Sequence, residues 1–195
     1  MKKIYFLPLG PIALSTILCG LVYGTVQQSY RAGANDPQIQ IAEDASVYLS
    51  NGAKPSDLVG QAPQVDISKS LAPFMTIFDE SGNVLATSGF LAGTPVSIPN
   101  GVFDFAKANS ENRVTWEPQK GVRSAIVVIH YKGATPGFVV VGRSLREVEI
   151  RVQALTQMVL IAWVASLILI VGFAVLVLRR RKEIFSAEVV SEIKL

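Results

Sequence analysis

An α+β domain carried between two membrane-crossing helices is the fold class this sequence predicts, on three observations. Residues 4–26 and 152–178 are apolar and free of charge, the stretch between them is polar and mixed, and the patterns in that stretch run helix, two strands, helix, three strands. At 1.5 Å per helical residue, either apolar span crosses a hydrocarbon core of about 30 Å. The 195 residues then divide into a tip with the first membrane helix (1–26), an outer domain (27–151), a second membrane helix (152–178) continuous with a helix starting near 145, and a short tail (179–195). An antiparallel sheet packed by helices on one face is the expected centre of the domain.

Basic flanks set the orientation. Lys2 and Lys3 precede the first span, and Arg179, Arg180, Arg181 and Lys182 follow the second, so the positive-inside bias places both tips in the cytoplasm and the domain on the opposite side of the membrane. Arg31, Arg143, Arg146 and Arg151 lie at the opposite ends, but more sparsely than the run after Leu178. The whole chain is +3, whereas residues 27–151 hold eleven basic and twelve acidic side chains. The basic excess therefore belongs to the membrane flanks and argues against nucleic acid as a partner. The first span also reads as a signal peptide cleaved after Val22-x-Gly24, although it is longer than the usual core of about 7–15 residues. Gly20 and Gly24 form a small-xxx-small pair of the kind that lets two membrane helices approach. Cys19, the one cysteine, permits no internal disulfide, and an outer domain of about 125 residues is long enough for a core of its own.

Each element has a local cause. Asn35-Asp36-Pro37 starts a helix, with Asp36 at the N-cap and Pro37 at the first helical position, where its missing N–H is harmless. That helix runs to about Leu49, with Ile41, Ala45, Tyr48 and Leu49 on one face and Asn51-Gly52 ending it. Residues 52–70 read as a loop with one helical turn around 56–59. A β-prone run at 74–78, turn chemistry at 79–83 and a returning strand at 84–88 make the clearest hairpin in the chain. A helix over 102–108 presents Val102, Phe105 and Ala106 to a core, with Asn100 as its cap, and strands follow at 113–117, 122–131 and 137–141. Ser144-Leu145-Arg146-Glu147 is a capping box. Beyond it Leu145, Val148, Val152, Leu155, Val159 and Ala162 recur at heptad spacing into the second span, forming one rod. The seam either pairs with a second copy, making a homodimer, or lies along the first membrane helix or the outer domain.

Catalytic chemistry is nearly unwritten. His130 is the only histidine, no cysteine lies outside the first span, and no Gly-x-Ser-x-Gly elbow occurs, so neither an enzyme nor a metal or other cofactor is expected. His130, between Ile129 and Tyr131 on a strand, reads as structural, and Asp79 and Glu80 read as turn chemistry.

The run Met75 to Ser88, the three later strands and the passage Val139-Val140-Val141-Gly142-Arg143-Ser144-Leu145 into a membrane helix resemble the extracytoplasmic PAS-like or Cache sensor domains of bacterial histidine kinases and chemoreceptors, over roughly residues 1–182. The resemblance implies a small-metabolite pocket between the sheet and residues 86–108, with occupancy passed through the membrane helices. Trp116, Arg123 and Tyr131 are the candidate ligand-binding residues: arginine grips carboxylates bidentately, aromatic rings line small-molecule sites, and Arg123 and Tyr131 share a strand face. The departure is that only thirteen residues follow Lys182, too few for an output domain. The output then belongs to an unknown protein partner, the fold serves another use as a structural or assembly protein or as an accessory subunit, or the sequence is a piece of a longer one.

Overall fold

A computed structural model describes residues 8–33, 36–60 and 62–192, the last eleven of these by backbone alone. The expectations for Lys2, Lys3, residues 4–7 of the first span, Asn35 and the side chains from Lys182 onward lie outside the described residues. The chain is α+β, with a long N-terminal helix, antiparallel pairing in its main sheet and two apolar helices. The order is α1 (Leu9–Gly33), α2 (Asp36–Ser50), α3 (Pro55–Val59), β1 (Val65–Asp66), β2 (Phe74–Asp79), β3 (Val84–Thr87), β4 (Gly89–Leu91), β5 (Thr94–Pro95), α4 (Asn100–Asn109), β6 (Glu111–Gln119), β7 (Val122–Tyr131), β8 (Gly137–Ser144) and α5 (Arg146–Glu192). The contacts divide into two compact units, one of Ser29–Arg151 and one of Met1–Gln28 with Val152–Leu195.

In the first unit a five-stranded sheet runs β3-β2-β8-β7-β6, all neighbours antiparallel, beside a small sheet of β1, β4 and β5. The β2–β3 hairpin forms because Asp79 accepts from the backbone N–H groups of Ser81 and Asn83 and from the Asn83 amide, while Gly82 takes a φ of +82° that a side chain would strain. At the end of α2, Gly52 N–H bonds the Leu49 carbonyl and Ala53 N–H the Tyr48 carbonyl, the paired bonds that close a helix.

Both faces of the sheet are covered, not one. Alternation along the strands sends Phe74, Phe78, Trp116, Ile126, Val128, Phe138 and Val140 to one side, where Phe103 and Ala106 of α4 and the segments holding Val65, Ile67, Val96 and Ile98 close over them. It sends Ile77, Val127, Tyr131, Val139 and Val141 to the other side, against Ala42, Ala45 and Leu49 of α2 and Val59 of α3. Central strands buried twice over read as unbroken apolar runs, as Ala125 to Ile129 and Phe138 to Val141 do. Three local expectations are corrected. On α2 the buried face is Gln38, Ala42, Ala45 and Leu49, and Tyr48 is exposed. On α4 Phe103 is buried and Phe105 exposed, and the helix begins at Asn100 with Pro99 before it and no side-chain cap. Ser144 ends β8, and its hydroxyl accepts from the Arg146 N–H, while Glu147 bonds Arg151, so the reciprocal half of the capping box is replaced by an ion pair within α5.

In the second unit α1 and α5 join through hydroxyls: Ser15 to Ser166 at 2.6 Å, the Trp163 indole N–H to Thr16 Oγ1 at 3.1 Å, and the Thr156 hydroxyl to that of Tyr23 at 3.4 Å. The pairs run in opposite senses along the two helices, which are therefore antiparallel here. The helical stretches beginning at Leu9 and Arg146 are long and apolar enough to cross a membrane. None of the residues of α1 is buried, and Leu169 and Phe173 of α5 are 73% and 70% exposed. So many open apolar side chains suit lipid far better than water.

Candidate functional site

The three candidate residues do not converge. Trp116 is buried on the α4 side of the sheet, opposite Ser124 in the β6–β7 ladder. Tyr131 is buried on the α2 side, its ring laid over Gly137 across the β7–β8 pair. Burial pushes the Tyr131 phenol up, helped by the negative charges of Asp79 and Glu80, so it stays a neutral donor. Arg123 shares the face of Tyr131 by strand parity but is exposed, and it pairs with Glu149 of α5 and, at 3.7 Å, with Glu117 of β6.

The space between the sheet and residues 86–108 is packed with rings. Phe103 stands 5.0 Å from Phe78 and 4.8 Å from Phe138, centroid to centroid. Phe74 fills the room left by two glycines, since a Cβ at Gly89 or Gly142 would run into its ring. Beside this aromatic layer sits a charged cluster that spacing did not reveal. Glu80, on the β2–β3 turn, bonds both the His130 Nε2 of β7 and the Lys107 Nζ of α4, and the His130 ring, 8% exposed, packs 5.0 Å from Phe138. Lys107 and then His130 hold the Glu80 carboxyl below its ordinary value. Asp79, beside it, is lowered by the Asn83 amide and the turn N–H groups and remains turn chemistry. The partners of Glu80 lie 27 and 50 positions away in sequence, so only the folded sheet brings them together.

A third arrangement fixes the exit from the sheet. Leu145 N–H bonds the Arg123 carbonyl at 2.8 Å, extending the β7–β8 ladder to the last residue before α5. Arg143 Nε donates to the Leu71 carbonyl at 3.0 Å, and Arg146 donates to the Lys69 carbonyl at 2.9 Å. Two guanidinium groups thus hold the 69–71 loop against the strand-to-helix turn. Two polar groups are buried with no hydrogen-bond partner among the described residues: the amide of Gln38 and the Ser124 hydroxyl. Among the described residues no group of three or more His, Cys, Asp or Glu is placed to hold a metal ion. No protein-family model matches the chain, and no curated protein matches it in sequence.

Proposed function

We propose that this chain is a membrane-anchored, sensor-like module. In this reading a PAS-like or Cache-like domain on the outer side of a bacterial inner membrane registers an envelope condition or a small molecule, and α1 and α5 pass the response to a separate protein. Both termini are cytoplasmic in this scheme. The observation that carries it is the junction: β8 is a central strand of the sheet, one residue separates it from α5, and Leu145, Arg143 and Arg146 are each bonded to neighbouring backbone. A change in the sheet therefore reaches a helix that is apolar enough to span a bilayer.

A second reading, a structural or assembly protein whose outer domain binds another protein, draws support from the ring-filled sheet face, because a metabolite there would have to displace Phe74, Phe78, Phe103 or Phe138. Pairing of two copies through Leu145, Val148, Val152, Leu155 and Val159 fits either reading. These side chains are half-buried within one chain, and Val159 borders Cys19, Gly20 and Tyr23 of α1.

One experiment separates the two. In a Cys19→Ser background, cysteines replacing Ser15 and Ser166, whose hydroxyls touch, report the α1–α5 contact by their rate of disulfide formation in membranes. A sensor changes that rate when pH, salt or a panel of amino and organic acids is varied on the outer side. A rate that holds constant across the panel defeats the sensing reading and leaves the assembly one.

A further inference from the structure

Within the Ser29–Arg151 unit, a crevice of about 230 Å³ opens among Ser29, Tyr30, Arg143, Ser144, Glu147 and Arg151. That is the share of about eight water molecules, room for a small polar group rather than a drug-sized ligand. Its lining is chosen for an oxyanion. Arg143 is half-buried and uses only Nε for the Leu71 carbonyl among the described residues, which leaves two terminal nitrogens. Arg151 is steadied by Glu147 at 3.0 Å, and the hydroxyl-bearing Ser29, Tyr30 and Ser144 line the same crevice as the two guanidinium groups. Guanidinium pairs match the tetrahedral oxygens of phosphate better than any other side chain does.

Sequence position narrows the source. Ser29 and Tyr30 follow the first apolar span by three and four residues, and Glu147 and Arg151 precede the second by five and one. At about 1.5 Å per helical residue all four fall within about 8 Å of the span ends. The headgroup layer on each side of a hydrocarbon core is about 5–8 Å deep. We infer that this crevice binds the phosphate diester of a phospholipid headgroup, clamping a lipid at the point where the sheet passes into α5. The inference rests on the membrane reading of α1 and α5.

The test titrates phosphatidylethanolamine into the detergent-solubilised full chain and counts bound lipid by native mass spectrometry. The variant Arg143→Gln/Arg151→Gln is compared with Arg179→Gln/Arg180→Gln, which removes the same charge from the tail. The crevice variant is expected to weaken the first lipid by about tenfold or more, and the tail variant by less than about twofold. Arg151→Gln alone, at an exposed side chain whose surface ion pair with Glu147 contributes little to stability, is expected to weaken it by at least about threefold. Equal losses in the two double variants, no loss in any variant, or stripping of the lipid by inorganic phosphate at tens of millimolar would each overturn the inference. Extraction by alkaline carbonate separates the failures: a chain released from membranes refutes the membrane reading, whereas an integral chain with unchanged lipid binding refutes only this site.

Discussion

Two residues of the Ser29–Arg151 unit bear on how it answers to its surroundings. Gln38 is 1% exposed on the face of α2 that packs against the sheet, yet neither amide atom finds a partner among the described residues. A buried unpaired amide is destabilising by about 1–3 kcal/mol, so Gln38→Leu should raise the unfolding free energy by that order, read from denaturant melts of the full chain in detergent. Glu80 works in the opposite direction. Its carboxyl is held below its ordinary value by Lys107 first and His130 second, so the folded state binds its proton less readily than the unfolded chain does. The stabilisation is present above the unfolded value near 4.5 and is lost as pH falls through the lower folded one. Glu80→Gln should therefore flatten the fall in melting temperature between pH 5 and pH 3, and an unchanged acid limb would show that the cluster does not hold the turn to β7 and α4. Lys107 and the exposed part of Glu80 are open to water, so the effect belongs to the screened, modest range.

At the scale of elements, the fold turns on how a single ring is seated. Phe74 of β2 packs into the space over Gly142 of β8 and Gly89 of β4, tying the large sheet to the small one. Gly142→Ala should cost about 1–3 kcal/mol by overpacking, and a second change, Phe74→Leu, should return part of that loss. Strictly additive effects in the double variant would deny the contact. The β2–β3 hairpin was legible because its turn residues bond their own backbone, and the strands at 122–131 and 137–141 were legible from β-branched runs. The strands β1, β4 and β5 have two or three residues each and carry no periodic signal. Coverage of both sheet faces was written in the unbroken apolar runs of β7 and β8, which alternation alone would have read as half-exposed. Choosing Phe105 over Phe103 came from aligning α4 on Val102, whereas the packed stripe runs through Phe103 and Ala106. The Glu80, His130 and Lys107 cluster had no local signature at all, since it joins a turn, a strand and a helix that only tertiary structure brings together.

At the scale of the whole molecule, the two apolar helices and the charge at their ends govern where the domain lies. Exposed Leu, Ile and Phe side chains along both helices mark them for lipid, and the hydroxyl pairs between α1 and α5 are of the kind that holds membrane helices together at about 0.6–2 kcal/mol each. Orientation follows from a different force. In the proposed orientation the densest basic run, Arg179 to Lys182, is retained on the cytoplasmic side as lysine- and arginine-rich flanks generally are, and a near-neutral domain of about 125 residues would be carried across with little regard to its own charge. In a Cys19→Ser background, a cysteine replacing the exposed Ser56 should react with an impermeant maleimide added to intact spheroplasts, and one replacing Ser186 should react only after lysis. Changing Arg179, Arg180, Arg181 and Lys182 to glutamine should lower the labelled fraction at position 56, because the charge that opposes transfer of the tail is then gone. The reverse pattern, with position 186 labelled from outside and position 56 protected, would place the sheet, the Glu80 cluster and the arginine-lined crevice in the cytoplasm, and an envelope stimulus could reach none of them.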